Sequence, residues 1–190
     1  MLFASVILAL LNYANASAIQ GSNLGGWFVL EPWITPALFY QFLNHKEGDV
    51  AQDSYSFCEV LKKRGAAMDP PDPMYANKWM RAHYNSWYTE EIIANLSQRG
   101  IERVRLPIGD WTMNKYGPYI NCMEGDEDRI EWLLDTCAKY NIGVLLDVHT
   151  AKHSQNGFDN SGISQYINWI NDTWFEKDGQ AQWLSLREDN

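Results

Sequence analysis

The chain has 190 residues, of which 46% are hydrophobic, 21% charged and 14% aromatic, and its formal net charge is −9. This aromatic content excludes a chain that is disordered over most of its length, and the absence of a Gly-X-Y period or a heptad run excludes collagen-like and coiled-coil proteins. The acidic balance argues against a nucleic-acid partner, because an excess of negative charge repels phosphates.

The N-terminus has the pattern of a secretory signal peptide. Residues 1–11 are an apolar run too short to span a membrane, and small-x-small cleavage patterns follow at 14–16 and 16–18. We therefore predict a signal peptide over residues 1–18, although no Lys or Arg precedes the apolar run; the alternative is a buried N-terminal helix. Residues 19–190 are then secreted, and no other stretch is long and apolar enough to span a membrane.

The three cysteines, Cys58, Cys122 and Cys137, are odd in number, so at least one has no partner within this chain. Their spacing matches no structural zinc site. Two Asn-X-Ser/Thr sequons, at Asn95 and Asn171, are glycosylation candidates in a secreted chain.

The first elements are a strand, a long polar segment and a helix. Residues 23–30 predict a strand, and the polar, Pro-containing stretch 31–73 holds one short helix around 55–63. Thr89 is the expected N-cap of the next helix and Gly100 follows its C-terminus. That helix is predicted to bury Ile92, Ile93 and Leu96.

The second half of the chain continues the alternation of strands and helices. Residues 101–108 and 143–149 predict strands, and the apolar run of the latter is typical of a parallel strand covered on both faces. Residues 127–140 and 163–187 predict amphipathic helices. The candidate core residues of these helices are Ile130, Leu133, Leu134, Cys137, Ala138, Tyr166, Ile167, Ile170, Trp174 and Trp183. This order indicates a parallel α/β fold.

Three strand–helix units cannot close a (β/α)8 barrel, which has about 250 residues, so we interpret the chain as incomplete. A doubly wound sheet is the alternative, but the sequence has no G-x-G-x-x-G or P-loop after a strand.

The ends of the predicted strands carry the polar groups of a sugar site. Glu31 follows the first strand, Arg105 lies in the second, Asp147 and His149 end the third, and an amide-rich loop follows at 154–162. In α/β folds such groups meet at one edge of the sheet, where they bind hydroxyls while aromatic rings stack on sugar faces.

A metal site is the weaker interpretation of these side chains. Asp147, His149 and His153 are possible ligands, but only the first two share a strand face and no further ligand cluster follows. We expect neither a metal nor a cofactor.

Four blocks of sequence closely resemble glycoside hydrolase family 5, above all its fungal-type exo-β-1,3-glucanases. They are GSNLGGW at 21–27, LEPWITP at 30–36, VRLPIGDW at 104–111 and SQNGFDNSG at 154–162. The resemblance implies a (β/α)8 TIM barrel, of which residues 19–190 supply about the first three units. It also implies a cell-wall or extracellular enzyme that removes glucose from the non-reducing ends of β-1,3-glucan by a retaining mechanism.

The resemblance gives several residues a role in binding. Glu31 matches an acidic residue that binds hydroxyls of the terminal sugar, Arg105 an arginine that orients carboxylates, and His149 a neutral hydrogen-bonding histidine. Each residue also has a structural alternative. Glu31 could cap a neighbouring loop, Arg105 could form a purely structural salt bridge, and His149 could be a histidine of the barrel core. The pocket-entrance loop of the family matches Phe158, Asp159 and Asn160.

Two positions depart from the family pattern. Asp110 stands where a Tyr is usual, and residues 150–153 replace a Gly-Ala-Pro-Gly-like turn. Both changes border the expected pocket and leave the linkage preference open. Trp33 and Trp111 fit either the core or the sugar site.

The sequence lacks the catalytic carboxylates that the resemblance implies. Retaining glycosidases need two of them about 5–5.5 Å apart, and in this family the acid/base lies in an Asn-Glu-Pro motif after the fourth strand. No Asn-Glu-Pro occurs in the sequence. We therefore expect an enzyme fragment that is inactive alone, with a short non-catalytic β-glucan-binding module as the alternative.

Overall fold

A parallel three-stranded sheet organises the computed structural model, which describes residues 18–169. The strands lie in the order β1–β2–β3 and are Gly21–Asn23, Arg103–Ile108 and Gly143–Val148. The register aligns Arg103 with Gly21 on one side and with Gly143 on the other. The predicted parallel α/β arrangement is therefore confirmed. Residues 1–17 of the predicted signal peptide and the Asn171 sequon lie outside the described residues.

Five α-helices connect or flank the strands in the described part of the chain. They are α1 (Pro36–Phe39), α2 (Ser54–Ala66), α3 (Tyr75–Ser86), α4 (Glu90–Gln98) and α5 (Asp126–Lys139). Short 3-10 helices lie at Tyr40–Phe42, Asp110–Thr112, Gly117–Tyr119 and Asp159–Ser161. The helices predicted at 55–63 and 127–140 are confirmed as α2 and α5.

Local capping explains where α2 and α4 begin. The Asp53 carboxylate accepts from the Ser56 backbone N–H at 2.7 Å, and Ser56 Oγ accepts from the Asp53 N–H at 3.2 Å, which is a capping box. Thr89 caps α4 as predicted, and Gly100 follows the helix with φ of +83°.

Helix α3 was not predicted, although the sequence carries a signal for it. Ala76, Met80 and Tyr84 are fully buried and recur at intervals of four residues, which is the spacing of one helix face. The aromatic and polar residues between them obscured this pattern.

The first strand is shorter than predicted and lies earlier in the chain. The prediction at 23–30 was wrong because the ladder ends just after Asn23, where the Leu24 N–H donates to the Arg105 carbonyl at 2.9 Å. Gly26 then adopts φ of +70°, and a Cβ there would lie 2.7 Å from Ile34 Cγ2. Residues 24–30 are therefore a buried irregular segment.

That irregular segment is anchored by helix α3. Trp27 and Phe28 are fully buried with ring centroids 4.6 Å apart, and Trp27 Nε1 donates to the Tyr84 carbonyl at 3.1 Å. His83 Nε2 lies 2.8 Å from the Gly26 carbonyl oxygen. Burial lowers the pKa of His83 to about 4, so the neutral imidazole donates this hydrogen bond.

Some predicted core residues are exposed. Ile92, Leu134 and Ala138 lie on the outer faces of α4 and α5, whereas Ile93 and Leu133 face inward. These predictions failed because the apolar stripe of each helix is narrower than the run of apolar residues in its sequence.

The third strand is less covered than predicted. Val104, Leu106 and Ile108 of the central strand β2 are buried, but Leu145 of β3 is 61% exposed, and Leu146 and Val148 are exposed as well. Among the described residues, β3 pairs on one side only. Because Leu145 and Leu146 lie on opposite faces of β3 and both are exposed, the expectation that this strand is covered on both faces is wrong for the described residues.

The remaining expectations concern the end of the described chain and the cysteines. Residues 163–169 contain no helix, and the rest of the helix predicted at 163–187 lies outside the described residues. Cys58 and Cys122 form a disulfide, and Cys137 is free and buried. No helix within 18–169 is long and apolar enough to cross a membrane.

Candidate functional site

The polar groups of the site lie within β2 and at and just after the carboxyl end of β3. The register places Arg105 opposite Leu145 and Pro107 opposite Asp147, so the side chains of Arg105 and Asp147 project from the same face of the sheet. His149 follows two residues later on that face, and its N–H donates to the Ile108 carbonyl at 2.9 Å. Strand alternation thus brings the three side chains together.

The guanidinium of Arg105 connects the three strands. Its Nη1 donates to Asn23 Oδ1 at 2.8 Å and its Nη2 to Asp147 Oδ2 at 2.5 Å. The side chain of Arg105 is 37% exposed and that of Asp147 28%. This planar fork is therefore fixed by β1 and β3 and remains accessible to a ligand.

The imidazole of His149 contacts both members of this ion pair. Its Nδ1 lies 2.9 Å from Asp147 Oδ2 and 2.9 Å from Arg105 Nη2. A guanidinium only donates and a carboxylate only accepts. Nδ1 of the neutral His149 ring can therefore accept from Arg105 in one tautomer or donate to Asp147 in the other. The tautomer with Nδ1–H makes the charge-assisted bond to Asp147 and leaves Nε2 as an acceptor.

The backbone around His149 is held as well. Gln155 Nε2 donates to the His149 carbonyl at 2.7 Å, and Gln155 Oε1 accepts from the Ala151 N–H at 3.0 Å. The Gln155 side chain therefore holds the backbone on both sides of Thr150, at the His149 carbonyl and at the Ala151 N–H.

Glu31 lies close to the same groups. Burial raises the pKa of its half-buried carboxyl, and the negative charge of Asp159 raises this pKa further. The charges of His149 and Arg105 lower the pKa, and so does a hydrogen bond from the Trp33 side chain. The structure thus brings four of the predicted site residues into one electrostatic cluster, which we call the open cluster: Glu31, Arg105, His149 and Asp159, together with Asp147.

The loop at 154–162 is held by hydrogen bonds between its own side chains and by two glycines with positive φ. Gly157 and Gly162 have φ of +86° and +84°, and the Ser154 and Ser161 hydroxyls lie 2.5 Å apart. Asn160 Oδ1 accepts from Asn156 Nδ2 at 2.7 Å, so this amide oxygen of a predicted site residue is used within the loop.

The aromatic candidates divide by exposure. Trp33 is 75% exposed and Phe158 69%, so both rings are available to a ligand. Trp111 is buried and stacks on Tyr119 with a centroid distance of 4.0 Å. Trp111 therefore belongs to the core.

Sequence reasoning missed several residues of the site. Asp147 was placed among the polar groups at the strand ends and among possible metal ligands but was given no binding role, although its position two residues before His149 on one strand face could have identified it as a partner of that histidine. Asn23 acts through a contact with the distant Arg105 that no local pattern reveals, and Gln155 was missed although its partner His149 lies six residues before it. Within 18–169, no three His, Cys, Asp or Glu residues are placed to hold a metal ion.

The sequence comparisons find similar curated proteins, whereas no protein-family model matches. Glucan 1,3-beta-glucosidase of Blumeria graminis is 40% identical over 157 residues, which are 82% of this chain and 33% of that protein. Glucan 1,3-beta-glucosidase of Pichia angusta is 37% identical over 166 residues, 86% of this chain and 34% of that protein. Glucan 1,3-beta-glucosidase 1 of Schizosaccharomyces pombe is 39% identical over 158 residues, which are 82% of this chain and 35% of that protein. The predicted resemblance is confirmed, and the chain spans about a third of the length of these relatives.

Solved structures show the fold. The rutinosidase from Aspergillus niger superposes with a TM-score of 0.61 at 20% identity, covering 86% of this chain and 46% of that chain. A second structure, named AoRut, superposes with a TM-score of 0.65 at the same identity and coverage. The predicted fold class is confirmed: the three parallel strands and their helices are part of a (β/α)8 barrel.

Proposed function

We propose that this chain, which resembles glucan 1,3-β-glucosidases over four fifths of its length, is part of a secreted glycoside hydrolase. The whole protein would remove glucose from the non-reducing ends of β-1,3-glucan with retention of configuration. The observation that carries this proposal is the sequence similarity to relatives of that name at 37–40% identity. The open cluster supports it, because a carboxylate, a guanidinium and an imidazole beside two exposed rings suit a sugar.

Within that enzyme, this chain supplies substrate-binding groups. Glu31 accepts hydrogen bonds from hydroxyls of the terminal sugar. Its proximity to Arg105 and His149 supports this role, because both positive and hydrogen-bonding groups then surround the same sugar. Phe158 and Trp33 offer ring faces for stacking, and Asp159 and Asn160 offer polar atoms at the entrance loop.

Asp147 is the positioning residue of this cluster. Its carboxylate accepts from Arg105 and, in one tautomer, from His149 Nδ1, so the Nε2 of His149 is left to accept from a sugar hydroxyl. An Arg105 fork held by Asn23 and Asp147 would orient a catalytic carboxylate without a large loss of side-chain entropy.

The catalytic pair itself is assigned elsewhere in the protein. The sequence contains no Asn-Glu-Pro, and a retaining mechanism needs a nucleophile and an acid/base about 5–5.5 Å apart. We therefore name no residue of this chain as nucleophile, and we propose that the chain is inactive by itself.

Secretion and modification complete the proposal. The signal-peptide pattern at 1–18 and the Cys58–Cys122 disulfide both suit an oxidising compartment. Asn95 is exposed on α4, so its side chain is accessible to glycosylation there, and Asn171 is the second candidate.

The test is to express the complete open reading frame and to follow laminarin hydrolysis by proton NMR. We expect glucose as the main product, released first as the β-anomer. Release of the α-anomer first would overturn the retaining mechanism. Binding of laminarin without any turnover would overturn the hydrolase and favour a glucan-binding protein.

A further inference from the structure

Asp110 and Thr150, the first residue of the segment 150–153, both depart from the family pattern and contact each other in the structure. We propose that they form a latch between the loops after β2 and β3, and that this latch positions His149 for the terminal sugar. The inference rests on the proposed function and adds a positioning pair that acts through His149.

The carboxylate of Asp110 accepts from two hydroxyls, and the one from Thr150 belongs to the latch. Thr150 Oγ1 donates to Asp110 Oδ1 at 2.5 Å and accepts from the Asp110 backbone N–H at 2.7 Å. Tyr116 Oη donates to Asp110 Oδ2 at 2.8 Å. Asp110 is 2% exposed and Thr150 4%. Both oxygens of a buried carboxylate are thus satisfied by hydroxyl donors.

The two hydroxyls have different places in the chain. Tyr116 lies in the same loop as Asp110, so its bond stays within the loop after β2. Thr150 is 40 residues away and belongs to the loop after β3, so its bonds join the two loops. Lys152 adds a second contact between them, since its Nζ lies 4.9 Å from the centroid of the Tyr116 ring.

Thr150 is also the residue that follows His149. The His149 backbone is held on its N–H side by Ile108 and on its carbonyl side by Gln155. The latch fixes the next residue, so the peptide carrying the imidazole is held at three successive points. Without the bond between Thr150 and Asp110, the backbone at 149–150 could shift and move the His149 imidazole. Small displacements of a group that contacts the substrate lower the rate of an enzyme.

The identities of the residues support a paired function. A glycine at 150 would have no hydroxyl to donate, and a tyrosine at 110 would have no carboxylate to receive it. Burial of the Asp110 carboxylate is unfavourable, and the hydroxyls of Thr150 and Tyr116 and the positive charge of Lys152 offset this cost. Each residue of the pair therefore depends on the other.

The experiment uses the full-length protein and laminari-oligosaccharide kinetics at a temperature well below the melting transition. Thr150→Val removes the hydroxyl that crosses between loops, Thr150→Ser retains it, and Tyr116→Phe removes the hydroxyl that does not cross. We expect kcat/KM to fall about tenfold in Thr150→Val and to stay within about twofold of wild type in the other two. Thr150→Val should lower the melting temperature as well, so the rescue by Thr150→Ser and the contrast with Tyr116→Phe identify positioning.

Equal kcat/KM values for Thr150→Val and Tyr116→Phe in an active enzyme would overturn this inference and leave the proposed function intact. A wild-type protein without glucan turnover would overturn both. Thr150→Ala is the second variant that lacks the hydroxyl. If neither it nor Thr150→Val folds while Tyr116→Phe does, the latch serves folding and the positioning role is wrong.

Discussion

Two aspartates near the carboxyl ends of the strands have opposite surroundings. The side chain of Asp147 is 28% exposed and pairs with a guanidinium, whereas Asp110 is 2% exposed, accepts from the hydroxyls of Thr150 and Tyr116 and interacts with the charge of Lys152. The first belongs to a cluster that a ligand can reach, and the second belongs to a latch whose two residues are both buried. Exposure, more than residue type, therefore separates an aspartate that orients ligand-accessible side chains from one that joins two loops.

The same division extends to other residues. Glu31 and Arg105 keep part of their surface accessible, while His83 is buried and its ring nitrogen lies against backbone carbonyl oxygens. We therefore expect changes in the open cluster to alter sugar binding and turnover with little effect on stability. Changes in the buried groups should alter stability first.

The largest expected effect concerns the 190-residue chain by itself. It carries the open cluster but, in our proposal, not the catalytic carboxylates, so neither protonation of the leaving group nor a glycosyl-enzyme intermediate is possible. We expect no measurable release of glucose from laminarin by the purified chain. Turnover that an internal substitution such as Glu31→Gln abolishes would contradict this expectation.

Substitution of Arg105 by lysine should have the next largest effect in the full-length enzyme. A lysine cannot bond Asn23 and Asp147 with the geometry of the planar fork, so we expect kcat/KM to fall roughly a hundredfold. The stability should change by no more than about 1 kcal/mol, because a partly exposed ion pair contributes little.

Arg103→Lys is the matched control for this substitution. Arg103 is the first residue of β2, two positions before Arg105, and it is exposed and outside the open cluster, so its replacement should leave kcat/KM unchanged. An equal loss of activity in both variants would show that the strand, and not the open cluster, is sensitive to the change.

The pH dependence of stability should report on the buried His83. Its pKa is about 4 in the folded protein against 6.5 for the ordinary group, so the unfolded state takes up a proton first as the pH falls. The stabilisation is complete above pH 6.5 and is lost as the pH falls from about 6.5 to about 4. This linkage corresponds to about 3 kcal/mol of unfolding free energy.

Urea unfolding of the full-length protein at pH 7.5 and pH 4 measures this loss, with His83→Gln as the non-titrating control. We expect the drop in stability to be smaller in the variant by about 3 kcal/mol. An identical drop in both proteins would mean that other groups cause the acid sensitivity.

Much of the architecture could be predicted from the sequence. Helix α5 and strand β3 follow from helical spacing and an apolar run, and Arg105 and His149 follow from their places in one strand and just after another. These features depend on neighbours within a few residues, so a local pattern is sufficient to find them.

The features that were missed depend on distant contacts. The end of β1 is set by the turn at Gly26 and by the packing of Trp27 against α3, some 57 residues away. The latch joins Asp110 to a residue 40 positions later. Polar pairs of this kind have no periodic signal, so only the folded structure reveals them.

The most direct test of the account is the activity and stability of Glu31→Gln in the full-length enzyme. Charge-assisted hydrogen bonds contribute roughly 1.5–3 kcal/mol each, so kcat/KM for laminari-oligosaccharides should fall by about one to two decades. The melting temperature should hardly change, because glutamine keeps the shape of the side chain. Glu91→Gln, an exposed residue in the first turn of α4, is the control with wild-type kinetics. Unchanged kinetics with a sharply lower melting temperature in Glu31→Gln would contradict the account and make Glu31 a structural residue.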